Sequence, residues 1–147
     1  MKKTVRIFAL VAALTLCLVA LTACSDKYGA LKSAFEEEGF KENQVVEGVA
    51  EQIKQDLEKQ ELEVNIHVLT KGVGAVAIIE FTATEELAQA IKDSNTLQGF
   101  IKDVQQSEDA NEFYNKLVEA GYAKGNCLCI PLTVKASTMT EIVKSVK

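Results

Sequence analysis

An α+β fold, a two-layer sandwich in which a small, largely antiparallel sheet of about three strands packs with amphipathic helices, is what the 147-residue sequence predicts. Three observations carry this expectation. Apolar residues recur at spacings of three and four over several stretches, the mark of helices with one buried face. The period drops to two over residues 62–69, the mark of a half-buried strand. Two further apolar runs, residues 75–81 and 127–134, read as strands, and the first follows a glycine-rich turn.

Taken in order, residues 28–38 form a short helix with Tyr28, Leu31, Ala34 and Phe35 on one side. Gly39 stops it at the left-handed position that glycine tolerates best, which lets Phe40 fold back. From Asn43, placed as N-cap, Val45, Val46, Val49, Ala50, Ile53 and Leu57 make an apolar stripe, with Glu51, Lys54, Gln55 and Glu58 opposite. Leu62, Val64, Ile66 and Val68 then alternate with Glu63, Asn65, His67 and Leu69. Lys71-Gly72-Val73-Gly74 supplies a hairpin turn into Ala75–Phe81, which is apolar on both faces and therefore central.

Thr84 caps a helix whose Glu85 and Glu86 suit the positive end of its dipole and whose Leu87, Ala88 and Ile91 face inward. The stretch Leu97–Val104 has no decisive period. Ser107 caps a further helix with Ala110, Phe113, Tyr114 and Leu117 inward and Gly121 as its stop. Residues 127–134 (CLCIPLTV) make the third strand, placed at an edge because Pro131 has no N–H for a ladder. Thr138 and Glu141 form a capping box opening a last helix through Ile142, Val143 and Val146. Runs of helices around a few strands, with no linker and one proline, make a single domain.

The chain begins differently. Lys2, Lys3 and Arg6 form a positive region, followed by an uncharged, mostly apolar stretch from Ile7 to Leu21. That stretch is short of the roughly 20 apolar residues a membrane-spanning helix needs, so a cleavable export signal is the expectation. Leu21-Thr22-Ala23-Cys24 completes the pattern: a leucine, two small residues and a cysteine, then charged sequence. It resembles the signal of bacterial lipoproteins. The resemblance implies removal of residues 1–23, including Cys17, and a covalent diacylglyceryl group on Cys24, with further acylation such as palmitate at the new amino terminus. An ordinary secretory signal with an incidental cysteine is the other reading.

One acyl chain anchors only marginally, whereas two or three hold firmly at ~0.8 kcal/mol per buried methylene. Residues 24–29 are then a lipidated tether and residues 30–147 the domain, held at the outer face of the cytoplasmic membrane. The stretch Glu112–Pro131, with the lipid signal, resembles small lipoproteins of Gram-positive bacteria. Such families carry no established activity, so this resemblance implies location and fold type only.

Loss of Lys2, Lys3 and Arg6 leaves thirteen basic against twenty-one acidic residues, a mature charge of −8. Nucleic acid is excluded as a partner, since that affinity rests on phosphate neutralisation by Lys and Arg. Anionic headgroups repel such a domain, so the membrane is its anchor and soluble proteins are its better partners. At 124 mature residues the chain is also too small for a two-lobed solute-binding protein.

Candidate chemistry is sparse. Cys127 and Cys129 sit two apart on a strand and share one face, and His67 lies on the polar side of its own strand. If the faces coincide, two thiols and an imidazole approach one another, as a thiol-redox or soft-metal site would need. Against that, cysteines outside disulfides are most often small buried hydrophobes, and His67 reads as an exposed or edge-bound structural residue. Gly72-Val73-Gly74 belongs to a hairpin, not a phosphate loop. Glu36-Glu37-Glu38 lacks the spacing of a calcium loop. Glu80 interrupts an apolar strand and is expected to reach solvent at its end; in a cleft beside a second carboxylate it would instead suit a small hydrolase.

The sequence therefore points to a lipid-anchored, non-enzymatic binding or interaction module with no cofactor beyond the lipid. Its partner is an envelope or extracellular protein, or a second copy of the chain, and an apolar sheet face carrying Val76, Ile78, Cys127 and Cys129 supplies the contact surface if no helix covers it. The alternative is an extracytoplasmic thiol or soft-metal protein built on Cys127, Cys129 and His67.

Overall fold

The computed structural model describes residues 27–43 and 48–147. The signal segment, Cys24, Val45 and Val46 lie outside the described residues. Helix α1 is described over residues 27–37, so three residues assigned above to the tether are helical. It is followed by β1 (Lys41–Asn43), α2 (Val49–Lys59), β2 (Asn65–Lys71), β3 (Gly74–Glu80), α3 (Thr84–Asp93), α4 (Asn95–Phe100), α5 (Ala110–Ala120), β4 (Ala123–Lys124), β5 (Cys127–Pro131) and α6 (Ala136–Ser145).

Among the described residues the fold is α+β, with six helices and one open antiparallel sheet in the order β1-β2-β3-β5-β4. Five strands stand where about three were expected. The additional ones are the two edges, three and two residues long, too short to show a period of their own. β3 is central, as its two apolar faces require. β5 is not an edge strand, but β4 pairs only with Leu128 and Cys127, so Pro131 sits beyond that short ladder.

The register assigns side chains to faces. Rows His67–Ile78–Cys129, Asn65–Glu80–Cys127 and Leu69–Val76–Pro131 cross β2, β3 and β5, and Glu42 of β1 opposes Leu69. These residues share one face. α1 lies over it, because Tyr28 stacks on His67 with ring centroids 3.9 Å apart. α6 runs beside α1: Lys27 Nζ donates to Lys147 O at 3.1 Å, and Ala34 and Glu37 share a groove with Thr138 and Glu141. On the other face Val49 and Ala50 of α2 approach Val68 and Ala75. α2 is tied in turn to α3 and to the α3–α4 junction, through Gln60 Nε2 donating to Ala90 O and Ser94 Oγ donating to Asp56.

Helices therefore cover both faces, and the expected two-layer sandwich is a three-layer arrangement. The physical reason is β3 itself. Val76, Ala77, Ile78 and Ile79 are all fully buried, and a strand apolar on both sides needs cover on both. Val76, Ile78, Cys127 and Cys129 have no exposed surface, so that sheet face is closed to the docking expected of it.

Local endings follow glycine chemistry where the turn demands it. At Gly39 (φ +96°) α1 stops, Phe40 N–H returns to Phe35 O at 3.0 Å, and the two rings meet edge to face at 5.4 Å. Gly121 (φ +88°) ends α5 in the same way, with Tyr122 N–H donating to Leu117 O. Starts were less well placed. Asn43 belongs to β1, not to the cap of α2, which begins at Val49 after Gly48. Asp109, not Ser107, caps α5, accepting from the N–H groups of Asn111 and Glu112. Thr138 lies inside α6, which opens after Lys135.

Candidate functional site

Glu42, His67 and Glu80 come from three successive strands of the sheet and converge under the first turn of α1. Because Glu80 opposes Asn65 and His67 opposes Ile78, Glu80 and His67 are diagonal neighbours on one face, within reach of long side chains. His67 Nε2 lies 2.8 Å from Glu80 Oε2, and its Nδ1 lies 3.2 Å from Glu42 Oε1. A neutral imidazole has one N–H; donation to both carboxylates requires both ring nitrogens to carry hydrogen.

Helix α1 closes the arrangement from above. Tyr28 stacks on the imidazole at an interplanar angle of 22°, and its hydroxyl donates to Glu42 Oε1 at 3.1 Å. Lys32, one turn later, pairs with Glu42 Oε2 at 2.9 Å. Glu42 thus accepts from a lysine and a phenol, with the imidazole Nδ1 also within hydrogen-bond distance. The Lys32 bond first, and then those of His67 and Tyr28, hold its carboxyl below the usual carboxylate range. Burial, reinforced by the Glu42 charge, pushes the Tyr28 phenol well above its ordinary value.

Glu80 is therefore not the solvent-facing strand end expected of it. Its side chain is 18% exposed and bonded to His67, which is itself 22% exposed. His67 stands one strand in from the edge, with both ring nitrogens engaged. A second carboxylate does stand near Glu80, but both are turned onto the same imidazole.

The cysteines share the sheet face of His67, as a joint site would need, but β3 separates them from it. His67 and Cys129 are two strand spacings apart, about 10 Å, with Ile78 between them. Both cysteines are fully buried. Cys127 Sγ donates to Asn126 Oδ1 at 3.7 Å, and burial pushes the Cys129 thiol far up. Thiolate, the nucleophilic and metal-binding form, is thereby disfavoured. Among the described residues no group of three or more His, Cys, Asp or Glu side chains is placed to hold a metal ion.

A cavity of about 300 Å³ lies on the opposite sheet face, lined by Val49, Ala50, Val68, Ala75 and Leu132 with Thr70 at its polar rim. Among the described residues its lining has no titratable side chain. Tyr28, Lys32 and Glu42 are the members of the polar cluster that sequence reasoning missed. No motif links positions 28, 42, 67 and 80, and only the strand register and the placement of α1 bring them together.

Comparison with protein-family models, curated proteins and solved structures finds no match.

Proposed function

We propose that the chain is a lipid-anchored extracytoplasmic protein whose acidic domain serves as a non-enzymatic binding or interaction module at the outer face of the cytoplasmic membrane. The observation that carries this reading is the order of features at the amino terminus: a basic start, an apolar stretch, Leu21-Thr22-Ala23-Cys24, and then the domain without delay. Residue 27, three residues beyond Cys24, already lies in α1. Three residue steps span at most ~11 Å, so an acylated Cys24 would keep the domain close to the bilayer.

The charge balance supports a protein partner over nucleic acid or lipid headgroups, since acidic residues exceed basic ones by eight once residues 1–23 are removed. Among the described residues no helix is long and apolar enough to cross a membrane, so retention there would depend on the anchor. The carboxylates around His67 support a non-enzymatic reading because both oxygens of Glu42 and Oε2 of Glu80 are engaged by Lys32, Tyr28 and the imidazole.

The test is mass spectrometry of the chain isolated from membranes of an expressing bacterium. The reading expects an amino-terminal Cys24 carrying a diacylglyceryl group, and release of a Cys24→Ala chain from the membrane fraction. An unmodified Cys24, or a chain cut elsewhere, overturns it.

A further inference from the structure

We propose that the Glu42–His67–Glu80 bridge is a proton-dependent latch that holds the first turn of α1 on the sheet. The latch rests on the geometry alone. Only its consequence, that the latched turn is the root of a membrane tether, depends on the lipid-anchor reading.

The connections form a closed circuit. Glu80 on β3 holds His67 on β2; His67 holds Glu42 on β1; and Glu42 is bound from α1 by both Tyr28 and Lys32. Tyr28 also stacks directly on the imidazole. All of these side chains are partly exposed, so water and protons reach them.

The protonation state of the ring decides whether the circuit is complete. Imidazolium donates from both nitrogens, one bond to each carboxylate, and places a cation against the Tyr28 face. Neutral imidazole donates from one nitrogen only. Glu42 keeps Lys32 and Tyr28 as donors whereas His67 is the donor within reach of Glu80, so the latch assigns the one N–H to Nε2 and turns the Nδ1 lone pair toward Glu42 Oε1. An acceptor then faces an acceptor at the point where Tyr28 also binds, and the strain falls on the α1 contacts.

The other charged groups around the ring do not replace its proton. Lys32 is already bound to Glu42 Oε2, and Glu36, one turn on, is 3.8 Å from the same lysine. Lys27 is directed to Lys147 O on the α6 side. Cys127 and Cys129 of β5 lie beyond β3 as buried thiols. The interior of α1 does not depend on the latch, because Leu31 and Phe35 are fully buried. Its first turn does: Tyr28 is half-buried, and Gly29 and Ala30 are exposed.

The chain has one histidine, which makes the test direct. The full chain in detergent micelles, labelled at the histidine ring, is titrated upward from acid pH until the ring resonance has moved between its two limiting positions. Amide exchange of residues 27–31 is measured in parallel and normalised to intrinsic rates at each pH. Protection is expected to fall about tenfold, the scale of one charge-assisted bond, along the same curve as the ring resonance. In a His67→Gln chain it is expected to be independent of pH. Flat protection in the unaltered chain while the ring titrates overturns the latch, and so does an unchanged pH dependence in the His67→Gln chain. An unacylated Cys24 would sink the anchor reading and leave the latch result standing.

Discussion

His67 Nε2 stands 2.8 Å from Glu80 Oε2, which binds the single histidine of the chain to the single charged residue of β3. The bond explains why a glutamate is tolerated in a strand whose four preceding side chains are fully buried. A carboxylate with little access to water needs a donor, and the diagonal neighbour on β2 provides one.

Removing one partner of this bond should cost more than exchanging it for a neutral hydrogen-bonding group. Glu80→Leu leaves His67 Nε2 without its acceptor and is expected to lower stability by about 1–3 kcal/mol. Glu80→Gln keeps an oxygen in place and should cost about 1 kcal/mol or less. Urea unfolding of the two variants checks the order. Equal losses would mean that the carboxylate acts through its apolar stem and not through the bond.

How much of this was legible in the sequence depends on the range over which each element is determined. The β2–β3 hairpin, the α5 stop at Gly121 and the return of Phe40 onto Phe35 are local, and the turn chemistry of a few residues places them. β1 and β4 are not local. Lys41–Asn43 and Ala123–Lys124 carry no alternation and become strands because β2 and β5 offer them open edges. The apolar run Val76–Ile79 implies cover on both faces, but periodicity alone does not say whether helices of the same chain or a partner supply it. The polar cluster was out of reach: positions 28, 42, 67 and 80 become neighbours only through the register of three strands and the placement of α1.

Acid should loosen the same region through Glu42. Its folded-state carboxyl lies below the ordinary 4.5 because Lys32, His67 and Tyr28 stabilise the charged form. A depressed value contributes stability that is fully present above the unfolded value and is lost as pH falls through the folded one. Stability is therefore expected to decline below about pH 4.5 partly through this group, and the decline should be shallower in Glu42→Gln. Denaturant midpoints of both chains between about pH 3 and pH 6 measure it. Parallel curves would remove Glu42 from the account.

The two strand cysteines should behave as core atoms. With no exposed surface and the Cys129 thiol pushed up by burial, neither presents thiolate to solvent. Alkylation of the native chain, followed by peptide mapping, is expected to leave Cys127 and Cys129 unmodified, and both should react once the chain is unfolded. Rapid native labelling of either would return the thiol or soft-metal reading to contention.

Glycine substitutions offer a final contrast, because two positions share a backbone conformation and differ in surroundings. Gly72 (φ +61°) sits at the hairpin turn, where an added Cβ would meet nothing within 4 Å. Gly121 (φ +88°) sits where a Cβ would lie 2.8 Å from both Cβ and the carbonyl oxygen of Thr140 on α6. Gly72→Ala carries only the left-handed backbone cost, about 1–2 kcal/mol. Gly121→Ala adds a clash with backbone that cannot rotate away, so α5 and α6 must separate, and a further 1–3 kcal/mol, typical of overpacking, is expected. Thermal unfolding of the two variants side by side reads the difference. Equal destabilisation would mean that α6 yields freely at Thr140 and that the close approach of the two helices contributes little to the fold.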